Sequence, residues 1–153
     1  MLARAAQHRG TSFVEVYQNC NVFNDGAWDY ATDRETKADT TIVLEHGKPL
    51  IFGKNRDRGI RLHGMEPEIV ELGHGISEDD LLFHDERSPE PSLAYLLSRM
   101  RNPEFPEPIG VFRAVERPQY DMLINEQVAE AKKTKGEGSL ERLFHAGETW
   151  DVA

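Results

Sequence analysis

Cys20 is the single cysteine of the chain and the residue best suited to carry chemistry. It follows a run of β-branched and aromatic residues at 11–18 and begins a polar segment, 19–26, rich in Asn, Asp and Gly. An inert cysteine more often lies within an apolar run. Three interpretations of Cys20 therefore stay open: a nucleophile, a lone metal ligand, or a small residue of no functional consequence. A lone cysteine excludes an intrachain disulfide and an all-cysteine metal site made by this chain alone.

A nucleophilic Cys20 would require a nearby base to generate the thiolate. No histidine is close to it in sequence, although one could be close in space. The chain contains no G-x-G-x-x-G or G-x-x-x-x-G-K-[ST] phosphate loop, no G-x-S-x-G elbow and no H-E-x-x-H zinc motif. These established signatures of catalysis are therefore excluded, and Cys20 remains the leading candidate.

One cluster of histidine and glutamate residues is a weaker candidate. His63 and His74 bracket Glu66, Glu68 and Glu71, which could be taken for a metal site. The same residues also fit the solvated faces of a β-hairpin, and we favour that interpretation.

A local basic cluster stands out in an acidic chain. It consists of Lys54, Arg56, Arg58 and Arg61. A charged edge strand or loop that resists aggregation is the simpler explanation. The alternative is a docking surface for an acidic partner, because opposite charges steer encounter.

The overall charge excludes several classes of partner. The 153 residues carry 18 basic and 27 acidic side chains, a formal charge of −9, and six of the acids lie within 78–90. Binding to nucleic acid through net charge is therefore excluded as the default. No apolar run approaches the ~18 residues of a membrane span, and the first residues do not form a signal peptide. A reducing cytoplasm is the simplest compartment for a protein with one cysteine.

The surrounding sequence predicts a mixed α/β fold. The opening residues 2–9 and the strand at 11–18 resemble the second half of an αβ unit, whose strand would belong to a parallel sheet. Segments 40–45 and 49–52 flank His46-Gly47-Lys48 and predict a hairpin. We predict further strands at 59–62, 68–72 and 109–115, and helices or helical turns at 27–38, 78–83, 93–100, 119–133 and 140–145. Some of the strands would form a small antiparallel patch.

Four separate stretches resemble the beta subunit of 2-oxoacid:ferredoxin oxidoreductases, most closely the 2-oxoglutarate branch. They are AAQHRGTSFVEVYQNCNVFND at 5–25, LEHGKPLIFG at 44–53, FHDERSPEPSLAYLLSRM at 83–100 and GVFRAVERPQYD at 110–121. They occur in the family's order and cover nearly the whole chain. The resemblance is therefore specific, although it is confined to the C-terminal half of such a subunit.

The resemblance implies a thiamine-diphosphate-binding α/β domain with a parallel sheet. In such an enzyme a 2-oxoacid is oxidatively decarboxylated to an acyl-CoA, and electrons pass through a [4Fe-4S] cluster to ferredoxin. Residues 1–39 would end the thiamine-diphosphate domain and 40–153 would form a C-terminal extension of hairpins and helices. An alpha subunit would complete the active site, which also uses Mg²⁺ and coenzyme A.

Cys20 matches the late cluster-ligating cysteine of this family. The resemblance also suggests that Asn19 and Asn21 hydrogen-bond cluster sulfurs, and that the Lys54–Arg61 basic cluster faces ferredoxin. The other three cluster cysteines and the G-D-G motif for Mg²⁺ and diphosphate have no equivalent in this chain. A [4Fe-4S] cluster normally takes four thiolates. We therefore expect the chain to need the missing N-terminal half of the beta subunit and to be inactive alone.

Two other hypotheses remain. The chain could be a non-catalytic, acidic protein-interaction module that folds independently. It could also be a cysteine hydrolase, which requires a histidine within hydrogen-bond reach of Cys20.

Overall fold

A computed structural model describes residues 1–150 and 152. The helices are α1 (Leu2–Gln7), α2 (Asp29–Thr32), α3 (Lys37–Thr40), a 3-10 turn (Glu78–Asp80), α4 (Ser92–Ser98), α5 (Tyr120–Lys135) and α6 (Leu140–Phe144). The strands are β1 (Thr41–Leu44), β2 (Ile51–Phe52), β3 (Arg58–His63), β4 (Glu66–Glu71) and β5 (Glu107–Gly110). The chain divides into two compact units, one of residues 1–7 and 13–115 and the other of 8–12 and 116–153. The proposed C-terminal region at 40–153 includes positions 151 and 153, which lie outside the described residues.

The first unit contains two small sheets, which confirms the predicted α/β class with a parallel component and an antiparallel patch. Strands β1 and β5 pair in parallel, with Thr41 opposite Glu107. Strands β2, β3 and β4 form an antiparallel sheet with β3 at its centre. The β3–β4 hairpin was expected from the apolar pattern of its strands.

The predicted hairpin around His46-Gly47-Lys48 is wrong. The turn forms, with Gly47 at φ 73°, but its two flanking strands diverge into different sheets. β1 takes its backbone partner from β5, and β2 takes its partner from β3. The local turn signal was correct, whereas the choice of partner was made by distant parts of the chain.

The predicted strand at 11–18 is also wrong within the described residues. This segment has no regular secondary structure, and it joins neither sheet. Its side chains are largely solvent-exposed, with Phe13 at 89% and Val16 at 69% of full exposure. The residue types favour a strand, but a strand also requires a neighbour with free backbone groups, and the parallel sheet uses β1 and β5 instead.

The core of the first unit lies on both sides of β2. Phe52 packs in a cluster with Ile42, Leu50, Ile60 and others. Ile51, the neighbouring residue of the strand, belongs to a second cluster with Val70 and Leu81. Since successive side chains of a strand point to opposite faces, β2 is covered on both. Helix α4 closes the first cluster with Leu97, which has no exposed surface.

The second unit contains α5 and α6. Neither of these helices, both of which lie within the described residues, has a buried residue. The last predicted helix, 140–145, forms as α6, and Ser139 caps it by accepting a hydrogen bond at its hydroxyl from the backbone N–H of Arg142. Among the described residues, no helix has both the length and the apolar character that a bilayer crossing requires.

Candidate functional site

Cys20 lies in a loop whose two ends are held together by side chains. At the base, the rings of Tyr17 and Trp28 stack with centroids 4.1 Å apart and an interplanar angle of 2°. Above them, Asn19 donates from Nδ2 to Asp25 Oδ1 (2.9 Å) and accepts from the backbone N–H of Gly26 (2.9 Å). We call residues 17–28 the Cys20 loop.

The tip of the Cys20 loop is a tight turn around the thiol. The backbone N–H of Asn24 donates to the carbonyl of Cys20 at 2.8 Å. Hydrogen bonds from the backbone N–H groups of Phe23 and Val22, and to a lesser extent Asn24, lower the pKa of Cys20, while burial acts in the opposite direction. Cys20 is partly exposed. The turn therefore favours an accessible thiolate, the form of cysteine that binds metals and acts as a nucleophile.

The two asparagines that flank Cys20 occupy different environments. Both polar ends of the Asn19 side chain are engaged in closing the loop. Asn21 is exposed to solvent. The suggested contacts of these amides with cluster sulfurs remain predictions.

A buried carboxylate anchors the Cys20 loop to the parallel sheet, and sequence reasoning missed it. Glu107, the first residue of β5, is 1% exposed. Oε1 accepts from the Tyr17 hydroxyl (2.6 Å) and from Arg101 Nη1 (2.9 Å), and Oε2 accepts from the Tyr30 hydroxyl (3.2 Å). Burial and the nearby Glu107 raise the pKa of both tyrosines, so their hydroxyls are protonated donors at neutral pH. In the sequence, the aromatic residues that flank the polar loop could have indicated that the loop is attached to the rest of the fold.

The structure divides the basic cluster into two parts. Arg58 pairs with Asp39 and lies over the Phe52 ring at 4.6 Å, and Arg61 pairs with Glu68 at 2.6 Å. Both arginines lie on β3, the central strand of its sheet, so the edge-strand explanation is wrong for them. Lys54 and Arg56 lie in the turn before β3 and are exposed. These two residues are the part of the cluster whose charges face solvent.

The histidine and glutamate residues at 63–74 fall on and beyond the β3–β4 hairpin, as the hairpin interpretation predicts. His63 pairs with Glu66 in the register next to the turn. Within the described residues, no three His, Cys, Asp or Glu side chains are grouped so as to hold a metal ion. Of the hydrogen bonds found among those residues, none joins Cys20 to a histidine, so nothing in them supports the hydrolase hypothesis.

Comparison with known proteins gives one strong similarity. Over 155 aligned positions, 99% of this chain is 34% identical to 2-oxoglutarate oxidoreductase subunit KorB of Mycobacterium tuberculosis. The expected resemblance is confirmed. The chain spans 41% of the length of KorB and matches its C-terminal part.

The similarity to KorB is one of sequence. No protein-family model matches the chain. No solved structure matches it either. The alignment with KorB covers the Cys20 loop, both sheets and the helices, because it extends over almost every residue of the chain.

Proposed function

We propose that this chain is the C-terminal part of a beta subunit of a 2-oxoacid:ferredoxin oxidoreductase, with 2-oxoglutarate as the substrate and succinyl-CoA as the product. The observation that carries the proposal is the 34% identity to KorB over 99% of the chain. The four matching stretches lie within the aligned region and support the same proposal, since they fall in four different places and in the family's order.

In the complete enzyme we place Cys20 as one of four thiolate ligands of a [4Fe-4S] cluster. The fit rests on the environment of the sulfur: it is partly exposed, lies at a loop tip and faces backbone N–H groups that lower its pKa. Such N–H groups stabilise a thiolate and, next to a cluster, influence its reduction potential. When bound, the cluster would carry the electrons released by the decarboxylation to ferredoxin.

The remaining groups of the active site must come from elsewhere. We expect the other three cysteines, and the residues that hold thiamine diphosphate and Mg²⁺, in the N-terminal half of the beta subunit. Mg²⁺ prefers a near-octahedral set of oxygen ligands, and the described residues offer no group of three such side chains. The alpha subunit would complete the site for the 2-oxoacid and coenzyme A. This chain alone would be inactive, and the assembled enzyme would work in the cytoplasm.

We propose that residues 1–39 belong to the thiamine-diphosphate-binding domain, because they contain the Cys20 loop, and that 40–153 form the C-terminal extension. Within the extension, the exposed Lys54 and Arg56 would face ferredoxin. Arg58 and Arg61 would contribute less to that surface, since each is paired with an acidic side chain.

The test is to assemble the chain anaerobically with the N-terminal half of a beta subunit and with an alpha subunit. Iron and acid-labile sulfide would be measured per complex, together with the electron paramagnetic resonance spectrum after reduction. We expect Cys20→Ser to lose the [4Fe-4S] signal and ferredoxin reduction. Val22→Ala is the matched control, because it changes an exposed side chain of the same turn and keeps the backbone N–H.

A complex that keeps its iron content and spectrum with Cys20→Ser would refute the assignment of Cys20. A chain that folds cooperatively and does not bind the N-terminal half or the alpha subunit would refute the wider proposal. That second result would favour the non-catalytic interaction module.

A further inference from the structure

Glu107 is an unusual residue to bury, because a carboxylate loses its hydration when it leaves water. Hydrogen bonds within the protein must compensate for that lost hydration. Three side chains supply them, from Tyr17, Tyr30 and Arg101. The two tyrosines lie on either side of the Cys20 loop tip, and Arg101 follows α4. The carboxylate therefore gathers three distant parts of the first unit at the start of β5.

The hydrogen bonds of Glu107 act on the base of the Cys20 loop. Tyr17 is three residues before Cys20, and its ring is already fixed by the stack on Trp28. Trp28 in turn lies 6.1 Å from the Tyr30 ring, so the tyrosine on the far side belongs to the same aromatic group. Holding both hydroxyls fixes the two ends of the loop on one strand of the parallel sheet.

We propose that Glu107 is a positioning residue for Cys20, and that it acts through Tyr17 and Tyr30. This inference rests on the proposed function for the task that the loop performs. A metal-binding set must be held within about 0.5 Å of its productive geometry. Ligands that come from separate parts of a protein meet this demand only when each is fixed to a rigid element. Glu107 supplies that attachment for Cys20, because it joins the loop to the β1–β5 sheet.

The first experiment uses the full chain without any cluster and follows hydrogen–deuterium exchange of residues 17–30 by mass spectrometry. Tyr17→Phe removes one hydroxyl and keeps the ring that stacks on Trp28. Glu107→Gln removes the negative charge. It also replaces one accepting oxygen by an amide N–H₂ group, which cannot accept the hydrogen bonds that the carboxylate accepts. We expect the exchange rate of the loop amides to rise about tenfold in either variant, because each loses a hydrogen bond to a charged group and such a bond contributes stability of that order.

Two matched controls separate positioning from a general loss of stability. Tyr95→Phe removes the hydroxyl of a tyrosine that is 67% exposed, and Glu104→Gln neutralises an exposed glutamate three residues from Glu107. Neither control should change exchange in the loop. Exchange in β3 and β4 serves as the internal reference, because a merely structural effect would raise exchange there as well.

The second experiment places the same variants in the assembled complex. We expect Tyr17→Phe to shift or broaden the electron paramagnetic resonance signal of the reduced cluster, and Tyr95→Phe to leave it unchanged. Unaltered loop exchange in both Tyr17→Phe and Glu107→Gln would overturn the positioning role. A cluster that survives Cys20→Ser would instead overturn the proposed assignment of Cys20 as a cluster ligand, while faster exchange in Tyr17→Phe would still establish the attachment of the loop.

Discussion

Glu86 is a second buried carboxylate, 4% exposed, and it is balanced by the guanidinium of Arg4 on α1. Arg4 Nη1 donates to Oε2 at 2.9 Å, and Nη2 donates to the other carboxylate oxygen. The hydrogen bond from Arg4 lowers the pKa of Glu86, while burial acts in the opposite direction. The folded protein therefore holds this proton more weakly than the unfolded chain does.

This difference between the folded-state and unfolded-state pKa of Glu86 predicts how the stability of the protein depends on pH. A carboxylate with a lowered pKa in the folded state adds stability at neutral pH, and that stability is lost as the pH falls through the ordinary glutamate range to below the folded-state pKa. We expect Arg4→Ala to reduce the free energy of unfolding at neutral pH, because Glu86 would lose its charged partner, and we expect the loss to be modest because half of the Arg4 side chain is exposed. The difference from the parent protein should narrow at acidic pH, below the lowered folded-state pKa of Glu86, because the carboxyl group is then protonated in both proteins.

Urea unfolding followed by circular dichroism at several pH values measures this effect. Arg9→Ala removes an exposed arginine two residues after the end of α1 and should have little effect at any pH. If Arg4→Ala and Arg9→Ala gave parallel curves of stability against pH, the pair with Glu86 would contribute nothing specific.

At the scale of the elements, the close packing of β3 depends on a residue without a side chain. A Cβ placed on Gly59 would lie 2.4 Å from Leu81 Cδ1 and 2.7 Å from Cδ2. Leu81 is 6% exposed and packs with Ile51 and Val70, so it has little room to move. Gly59 therefore lets the chain after the 3-10 turn pack directly on the antiparallel sheet.

We expect Gly59→Ala to destabilise the protein by about 1–3 kcal/mol, the usual cost of overpacking a core. Gly138→Ala is the control, because its Cβ would meet nothing within 4 Å. The double variant Gly59→Ala/Leu81→Ala should lose less stability than the sum of its two single variants, because the smaller side chain removes the clash. Additive effects in urea unfolding would show that this contact is not the cause.

The elements also show how far the sequence could predict the structure. The β3–β4 hairpin and the turn after Ser77 were predictable because their signals are local: alternating apolar residues in one, and in the other a serine that caps the turn together with Asp80. The partner of β1 was not predictable, because it depends on residues far along the chain. At the candidate site, the role of Cys20 was predicted from its neighbours and stays a prediction, whereas the buried Glu107 was missed because a glutamate is rarely buried.

At the scale of the whole molecule, the proposed function requires a chain with a formal charge of −9 to bind an acidic electron acceptor. Under the proposed function, the acidic chain as a whole would repel the acceptor, whereas Lys54 and Arg56 would attract it locally. Opposite charges at the point of contact raise the rate of association, and dissolved salt screens that effect.

We expect Lys54→Glu together with Arg56→Glu to lower the second-order rate constant for ferredoxin reduction by about tenfold at low ionic strength. The difference should disappear at high salt, because the Debye length becomes short. Lys133→Glu together with Lys135→Glu, on the exposed end of α5, makes the same change in net charge at another place. Equal slowing by both pairs in stopped-flow measurements would point to net charge and exclude a local docking surface.

The pairing of β1 with β5 also predicts the order in which the two sheets form during translation. Strands β2, β3 and β4 follow one another closely along the chain and can associate as soon as they leave the ribosome. Strand β1 emerges before them, yet its hydrogen-bond partner and the buried Glu107 are synthesised only after α4. Contacts between distant segments form slowly. We therefore expect the antiparallel sheet to form in the nascent polypeptide before the Cys20 loop makes its hydrogen bonds to Glu107.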